Sequence, residues 1–139
     1  MEEAQPHEFS ADSYSPLNLA YIGDAVFTLL VRSEVLGHGN MSIKRQNEQV
    51  KAVVRAGAQA AMYHALLPHL TEDEIAVLKR GRNAKTFSRA KNASVSDYRH
   101  ATGVEALFGY LYIKGLHKRI TELFRIGQEA EASEDKPTE

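Results

Sequence analysis

An all-α fold is what the sequence predicts, on three observations. No stretch alternates apolar and polar residues with period two, and no hairpin turn signal occurs. Apolar residues recur at helical spacing instead, as in residues 43–62. Ser, Thr, Pro and Gly stand where helix starts and stops belong. A chain of 139 residues with 43% hydrophobic content is long enough for one packed core and too short for two full domains.

Ser15 and Pro16 open a first helix, the serine as cap and the proline in the first turn, and Gly37 and Gly39 close it. A second helix begins near Ser42 and runs through Ile43, Val50, Val53, Val54, Ala60 and Met62 to Pro68, with Lys44, Arg45, Glu48, Lys51 and Arg55 on its wetter side. Thr71 and Glu74 form a capping box for a short third helix that ends near Gly81. A polar, basic stretch follows. Ser94 or Ser96 then caps a fourth helix reaching about Gly115, and a fifth runs from Leu116 to about Gly127. Three parts result: an acidic N-terminal segment (1–15), a folded body (16–127) and an acidic tail (128–139) expected to be disordered or to fray.

The formal net charge of −1 conceals this division. Residues 1–15 hold Glu2, Glu3, Glu8 and Asp12 with no base; residues 128–139 hold five acids against Lys136. Removing both tails, each at −4, from the total of −1 leaves +7 on the body. A basic body suits a polyanionic partner, although a solvated basic surface has the same composition. The absence of cysteine excludes disulfide frameworks, thiolate zinc sites and thiol nucleophiles, and fits a reducing, cytoplasmic setting. No apolar run approaches a membrane span, and the polar N-terminus resembles no secretory signal.

Two acids stand where acids are costly. In the first helix Leu17, Leu19, Ile22, Val26, Phe27, Leu30 and Val31 make the surface apolar nearly all round, which places that helix at the centre of a domain with Asp24 in its middle. An unpaired carboxylate there loses several kcal/mol of solvation. Thr28 and Arg32 follow at intervals of four and extend Asp24 into a polar stripe toward solvent. In the fourth helix Glu105 is the lone acid among Val104, Leu107, Phe108, Tyr110, Leu111 and Ile113. Facing carboxylates repel unless a cation lies between them, and Mg²⁺ needs only one or two carboxylates because it keeps several waters. The alternative is ion pairing, Asp24 with Arg32 and Glu105 with Arg99 or Lys114.

Residues 79–91 (KRGRNAKTFSRAK) carry six positive charges and no negative one. Such forks and ammonium groups suit phosphate oxygens, and with Phe87 the only aromatic, a duplex backbone is a better match than stacked single-stranded bases. The alternative is a solvated loop. The six histidines have no metal-ligand spacing and read as surface or boundary residues.

Residues 19–27 (LAYIGDAVF) resemble the signature helix of the ribonuclease III catalytic domain, and residues 105–113 (EALFGYLYI) its second acidic helix. Residues 80–85 (RGRNAK) resemble a segment typical of the Mini-III branch, which lacks the separate double-stranded RNA-binding domain. The likeness runs in order from about residue 16 to 115. It implies a ribonuclease III-like helical bundle, an obligate homodimer, Asp24 and Glu105 as catalytic Mg²⁺ ligands, and cleavage of double-stranded RNA. It further implies a substrate in the precursor of large-subunit (23S) ribosomal RNA. With no RNA-binding domain appended, Arg80, Arg82, Asn83, Lys85, Arg89 and Lys91 are the expected RNA contacts, with Lys114 as a further one. Two departures matter: larger members carry acids where this chain has Ala20 and Thr102. They imply a leaner metal site, or, as the rival reading, a non-catalytic RNA-binding protein that keeps the fold.

Overall fold

A computed structural model describes residues 10–85 and 94–134; among them six α-helices form the body and there is no strand. They are α1 (Pro16–Gly37), α2 (Ile43–Val54), α3 (Ala56–Leu66), α4 (Glu72–Asn83), α5 (Val95–Ile113) and α6 (His117–Glu134). The all-α expectation holds. Local chemistry sets most of the boundaries. Ser15 Oγ accepts from the Asn18 amide, Ser42 Oγ from Arg45 and Ser94 Oγ from Asp97, and Pro16 occupies the first turn of α1. Thr71 and Glu74 close the capping box reciprocally. At the end of α5, Gly115 adopts φ +75°, and the amides of Gly115 and Leu116 bond the carbonyls of Tyr112 and Leu111, a Schellman arrangement that glycine admits without strain.

Two boundaries differ from the sequence expectation. The second helix is two helices, because Arg55 is extended (φ −61°, ψ 152°) and turns the chain between α2 and α3. Gln59 stabilises the break by donating its side-chain amide to the Val54 carbonyl at 2.9 Å. The turn lets α2 lie on α1 while α3 packs on α5 and α6. The last helix does not stop at Gly127 but continues to Glu134, so part of the acidic tail is helical. Gly127 is a packing residue, since a Cβ there would stand 2.7 Å from the Met62 methyl carbon.

The central element is α5, whose residues 101–104 and 106–111 are buried, and which touches α1, α3, α4 and α6. Phe27 of α1 meets Phe108 and Phe124 edge-on at 5.6 and 5.7 Å, joining α1, α5 and α6. The placement of α1 corrects the sequence reading. One side of it is core, but Leu17, Tyr21 and Leu36 are exposed on the other, Tyr21 by 83%. In the single chain α1 is a flank rather than a centre.

Glu74 is 5% exposed and takes two bonds from Arg119 of α6, at 2.8 and 2.7 Å; Arg119 also reaches the His69 carbonyl and Glu122. Arg119 holds the Glu74 carboxyl below the usual range, against the opposing effect of burial. Removing the guanidinium strands a buried carboxylate, so Arg119→Ala should lower unfolding free energy by about 3 kcal/mol at neutral pH. A depressed carboxyl pKa stabilises above the unfolded value and ceases to as pH falls through the folded one. Urea titrations should therefore show the deficit shrinking below about pH 4; a deficit that persisted there would assign it to lost packing.

Candidate active site

The site is built on a contact between two backbones. A Cβ at Gly23 of α1 would lie 1.6 Å from the Glu105 carbonyl oxygen, and one at Gly109 of α5 would lie 1.9 Å from the Leu19 carbonyl oxygen. Each helix presents a glycine to the other, so the two axes come closer than side chains would permit. That crossing brings the Asp24 and Glu105 side chains within hydrogen-bonding reach. Asp24 is on the solvent side and exposed, while Glu105 is partly buried. The expectation that Asp24 is buried does not hold for the single chain; only Glu105 has that character.

Electrostatics distinguish a cation site from two ion pairs. Burial, and then the Asp24 carboxyl beside it, push Glu105 up to about 9. Among the described residues the ion pairs are Arg119 with Glu74 and with Glu122, and neither carboxylate of the site has a basic partner. The alternative pairings thus do not form. Arg32 lies in a groove between α1 and α2 with Gln46 and Asn47, Arg99 is exposed near the start of α5, and Lys114 donates to the Tyr110 hydroxyl. No group of three or more His, Asp or Glu gathers among the described residues, so the donor set is two carboxylates with open solvent beside them. Thr102, at the position of a missing acid, is buried and donates to the Tyr98 carbonyl at 3.0 Å.

The expected RNA contacts are placed unevenly. Arg80, Arg82, Asn83 and Lys85 are together at the C-terminal end of α4, with Arg80, Asn83 and Lys85 exposed. Arg89 and Lys91 lie outside the described residues. Lys114 caps the C-terminus of α5 and feels the charges of Asp12 and Asp73, which puts it toward the opposite end of α4. A groove of about 500 Å³ beside Arg82 and Asn83 is completed by Val95, Ser96, Arg99 and His100 of α5. Sequence reasoning had not joined these α5 residues to the basic segment. The spacing i, i+3, i+4 of Ser96, Arg99 and His100 was the one available signal.

Similarity searches match this framework. A family model described as the ribonuclease III domain matches residues 17–116. The chain belongs to the ribonuclease III family. It is 46% identical over 109 residues to the Mini-ribonuclease 3 of Brevibacillus brevis, covering 78% of this chain and 81% of that one. It is 43% identical over 110 residues to that of Symbiobacterium thermophilum, covering 79% and 85%. Within the family these relatives place it in the Mini-III branch, as a ribonuclease. A crystal structure of a Fusobacterium nucleatum protein superposes with a TM-score of 0.76 at 34% identity, covering 86% of this chain and 95% of that one. The matched span contains both members of the carboxylate pair and the close crossing that sets them together.

Proposed function

We propose that the chain is a Mg²⁺-dependent endoribonuclease that cuts double-stranded RNA as a homodimer. The proposed substrate is the precursor of large-subunit (23S) ribosomal RNA, processed in the cytoplasm. The observation that carries the reading is the pair of Asp24 and Glu105, without a basic partner among the described residues, in which burial and then the neighbouring Asp24 carboxyl raise Glu105 to about 9. Two oxygen donors without a base suit a hard divalent ion that retains most of its waters, so the residues present fit Mg²⁺. Bound there, Mg²⁺ would supply activated water and charge neutralisation for in-line hydrolysis to 5′-phosphate and 3′-hydroxyl ends. Asp24 and Glu105 hold the ion, and Glu105 gives up its proton when they do. Arg80, Arg82 and Lys85 bind backbone phosphates, Arg89 and Lys91 extend that contact along the same segment, and Asn83 adds a neutral hydrogen-bond donor. Lys114 serves a more distant phosphate. No protein nucleophile is involved. The ribosomal substrate and the cytoplasmic setting rest on the family likeness, the setting with added support from the lack of cysteine.

The test is incubation of the purified chain with a perfect RNA duplex and Mg²⁺, beside an EDTA control. Metal-dependent cutting is expected. Binding without cleavage across a range of salt and metal would favour the second reading, a non-catalytic RNA-binding protein, which Ala20, Thr102 and the short donor set support.

The dimer is supported by the outer face of α1. Leu17, Tyr21, Ala25, Leu29, Arg32 and Leu36 follow one another at intervals of three or four and are all exposed, with Ile43 exposed at the start of α2. A mainly apolar stripe of this length suits a second copy, and Asp24 stands at its edge. Sedimentation should give about twice 15.5 kDa, and Tyr21→Glu should shift the mass toward that of one chain. A mass of 15.5 kDa for the unsubstituted protein at micromolar concentration would contradict the dimer.

A further inference from the structure

The groove between the end of α4 and the start of α5 has chemistry that the carboxylate pair does not use. Its floor is fixed by another close crossing, since a Cβ at Gly103 would stand 2.7 Å from the Leu78 carbonyl oxygen. Arg82 is held in place there. Its Nη1 donates to the hydroxyl of buried Tyr63 at 3.1 Å and its Nε to Asn83 Oδ1 at 3.2 Å, so the rest of the fork is aimed without further ordering.

His100 is oriented as closely. Its ring stands edge-on to Tyr63 at 4.5 Å and lies 4.9 Å from that of His64. Its Nδ1 is 2.7 Å from the Ser96 carbonyl oxygen. A carbonyl only accepts, so Nδ1 carries the hydrogen, and in the neutral ring Nε2 is the acceptor. Arg99 and the Ser96 hydroxyl share the groove. The site therefore offers two guanidinium groups for anionic oxygens and, a short distance away, an imidazole acceptor for a hydroxyl donor. An RNA backbone presents that pair of groups, a phosphate and the adjoining 2′-hydroxyl; DNA presents only the first.

We propose that this groove is a ribose-phosphate subsite in which Arg82 and Arg99 take a backbone phosphate and His100 Nε2 accepts from the 2′-hydroxyl of the neighbouring ribose. The inference rests on the reading of the chain as a double-stranded RNA binder, and adds the place at which RNA is told from DNA. Arg99 precedes Glu105 by six positions on α5, roughly 9 Å along the axis at 1.5 Å per residue. At 3.6 residues per turn Arg99 and Glu105 also lie about 120° apart around α5, so the groove, toward α3 and α4, is a contact separate from the carboxylate pair, toward α1.

Binding is measured without divalent metal, so that RNA stays intact, using an RNA duplex and versions with a single 2′-deoxy substitution walked along each strand. The unsubstituted protein should lose about five- to tenfold in affinity at one position per strand, the loss of one hydrogen bond. His100→Phe keeps the aromatic packing but has no acceptor. It should bind the all-RNA duplex more weakly by the same factor and be indifferent to the deoxy substitution at that position. His100→Ala should share that indifference, which guards against a folding artefact in one variant, and His100→Gln, which restores an acceptor, should recover part of the discrimination. If His100→Phe and His100→Ala discriminate as the unsubstituted protein does, or if that protein ignores every 2′-deoxy substitution, the subsite is wrong while RNA binding stands. Failure of the unsubstituted protein to bind any RNA duplex would remove the parent reading as well.

Discussion

Asp24→Asn and Glu105→Gln should each lower the proposed Mg²⁺-dependent RNA cleavage by about a thousandfold or more, since the loss of a proposed metal ligand forfeits several kcal/mol of charge stabilisation. The two variants should nonetheless differ in stability. In the metal-free chain Glu105 stays protonated to about pH 9, whereas in the unfolded chain it ionises near the ordinary carboxyl value of 4.5. A carboxyl whose folded pKa is raised stabilises fully below the unfolded pKa and loses that contribution as pH rises toward the folded one. Glutamine imitates the protonated form and does not titrate. Glu105→Gln should therefore melt higher than the unsubstituted protein without metal, by on the order of 2 kcal/mol at neutral pH. The gap should widen from about pH 5 to 9 and then level off. Calorimetry over that range, alongside cleavage rates, separates this outcome from simple damage. A less stable Glu105→Gln would show that the carboxyl is compensated by something other than a cation.

The raised pKa of Glu105 has a sequence-level counterpart. Asp24 and Glu105 were conspicuous because each is the one acid within an apolar stretch of its helix, and that signal is local. The caps at Ser15, Ser42, Thr71 and Ser94 and the stop at Gly115 were legible for the same reason: a side chain within four residues, or a single left-handed glycine, settles the boundary. What periodicity could not supply was the identity of the surface opposite each apolar residue. It therefore placed α1 at a centre, although Tyr21 and Leu36 face outward from the chain. On the proposed dimer the same apolar girdle has two destinations, its own core and a partner. The break at Arg55 was illegible because no Pro or Gly stands at it, and Gly57, two positions on, lies inside α3; the bend serves contacts with α1 on one side and α5 on the other. Gly127 misled in the opposite sense, since a glycine that admits Met62 looks in sequence like one that ends a helix. The groove at Arg82 joins residues from α3, α4 and α5 through Tyr63, so no single segment announces it.

Gly23→Ala and Gly109→Ala are expected to be the most disruptive single-methyl changes in the chain. Overpacking a core by a methyl group ordinarily costs about 1–3 kcal/mol, because neighbouring side chains adjust. Here the neighbours cannot. The added carbon would meet a carbonyl oxygen at 1.6 Å in one case and 1.9 Å in the other, and both oxygens belong to helical backbone. Relief requires α1 and α5 to separate along the contact that seats Phe27 against Phe108. The loss should be at least about 3 kcal/mol, a large share of the stability of a domain of this size. Gly37→Ala is the matched control, since nothing lies within 4 Å of its added carbon and the site is at the end of the same helix. That change should stay within about 1 kcal/mol of neutral and tend toward stabilisation, as alanine is the better helix former. Urea midpoints for the three variants make the comparison. A Gly23→Ala protein with the midpoint and cleavage rate of the unsubstituted chain would mean that the helices have more room than the crossing allows. The carboxylate pair would then owe its proximity to something other than glycine. A variant that keeps its fold by spreading α1 from α5 should instead lose cleavage out of proportion to its stability, because the same movement parts Asp24 from Glu105.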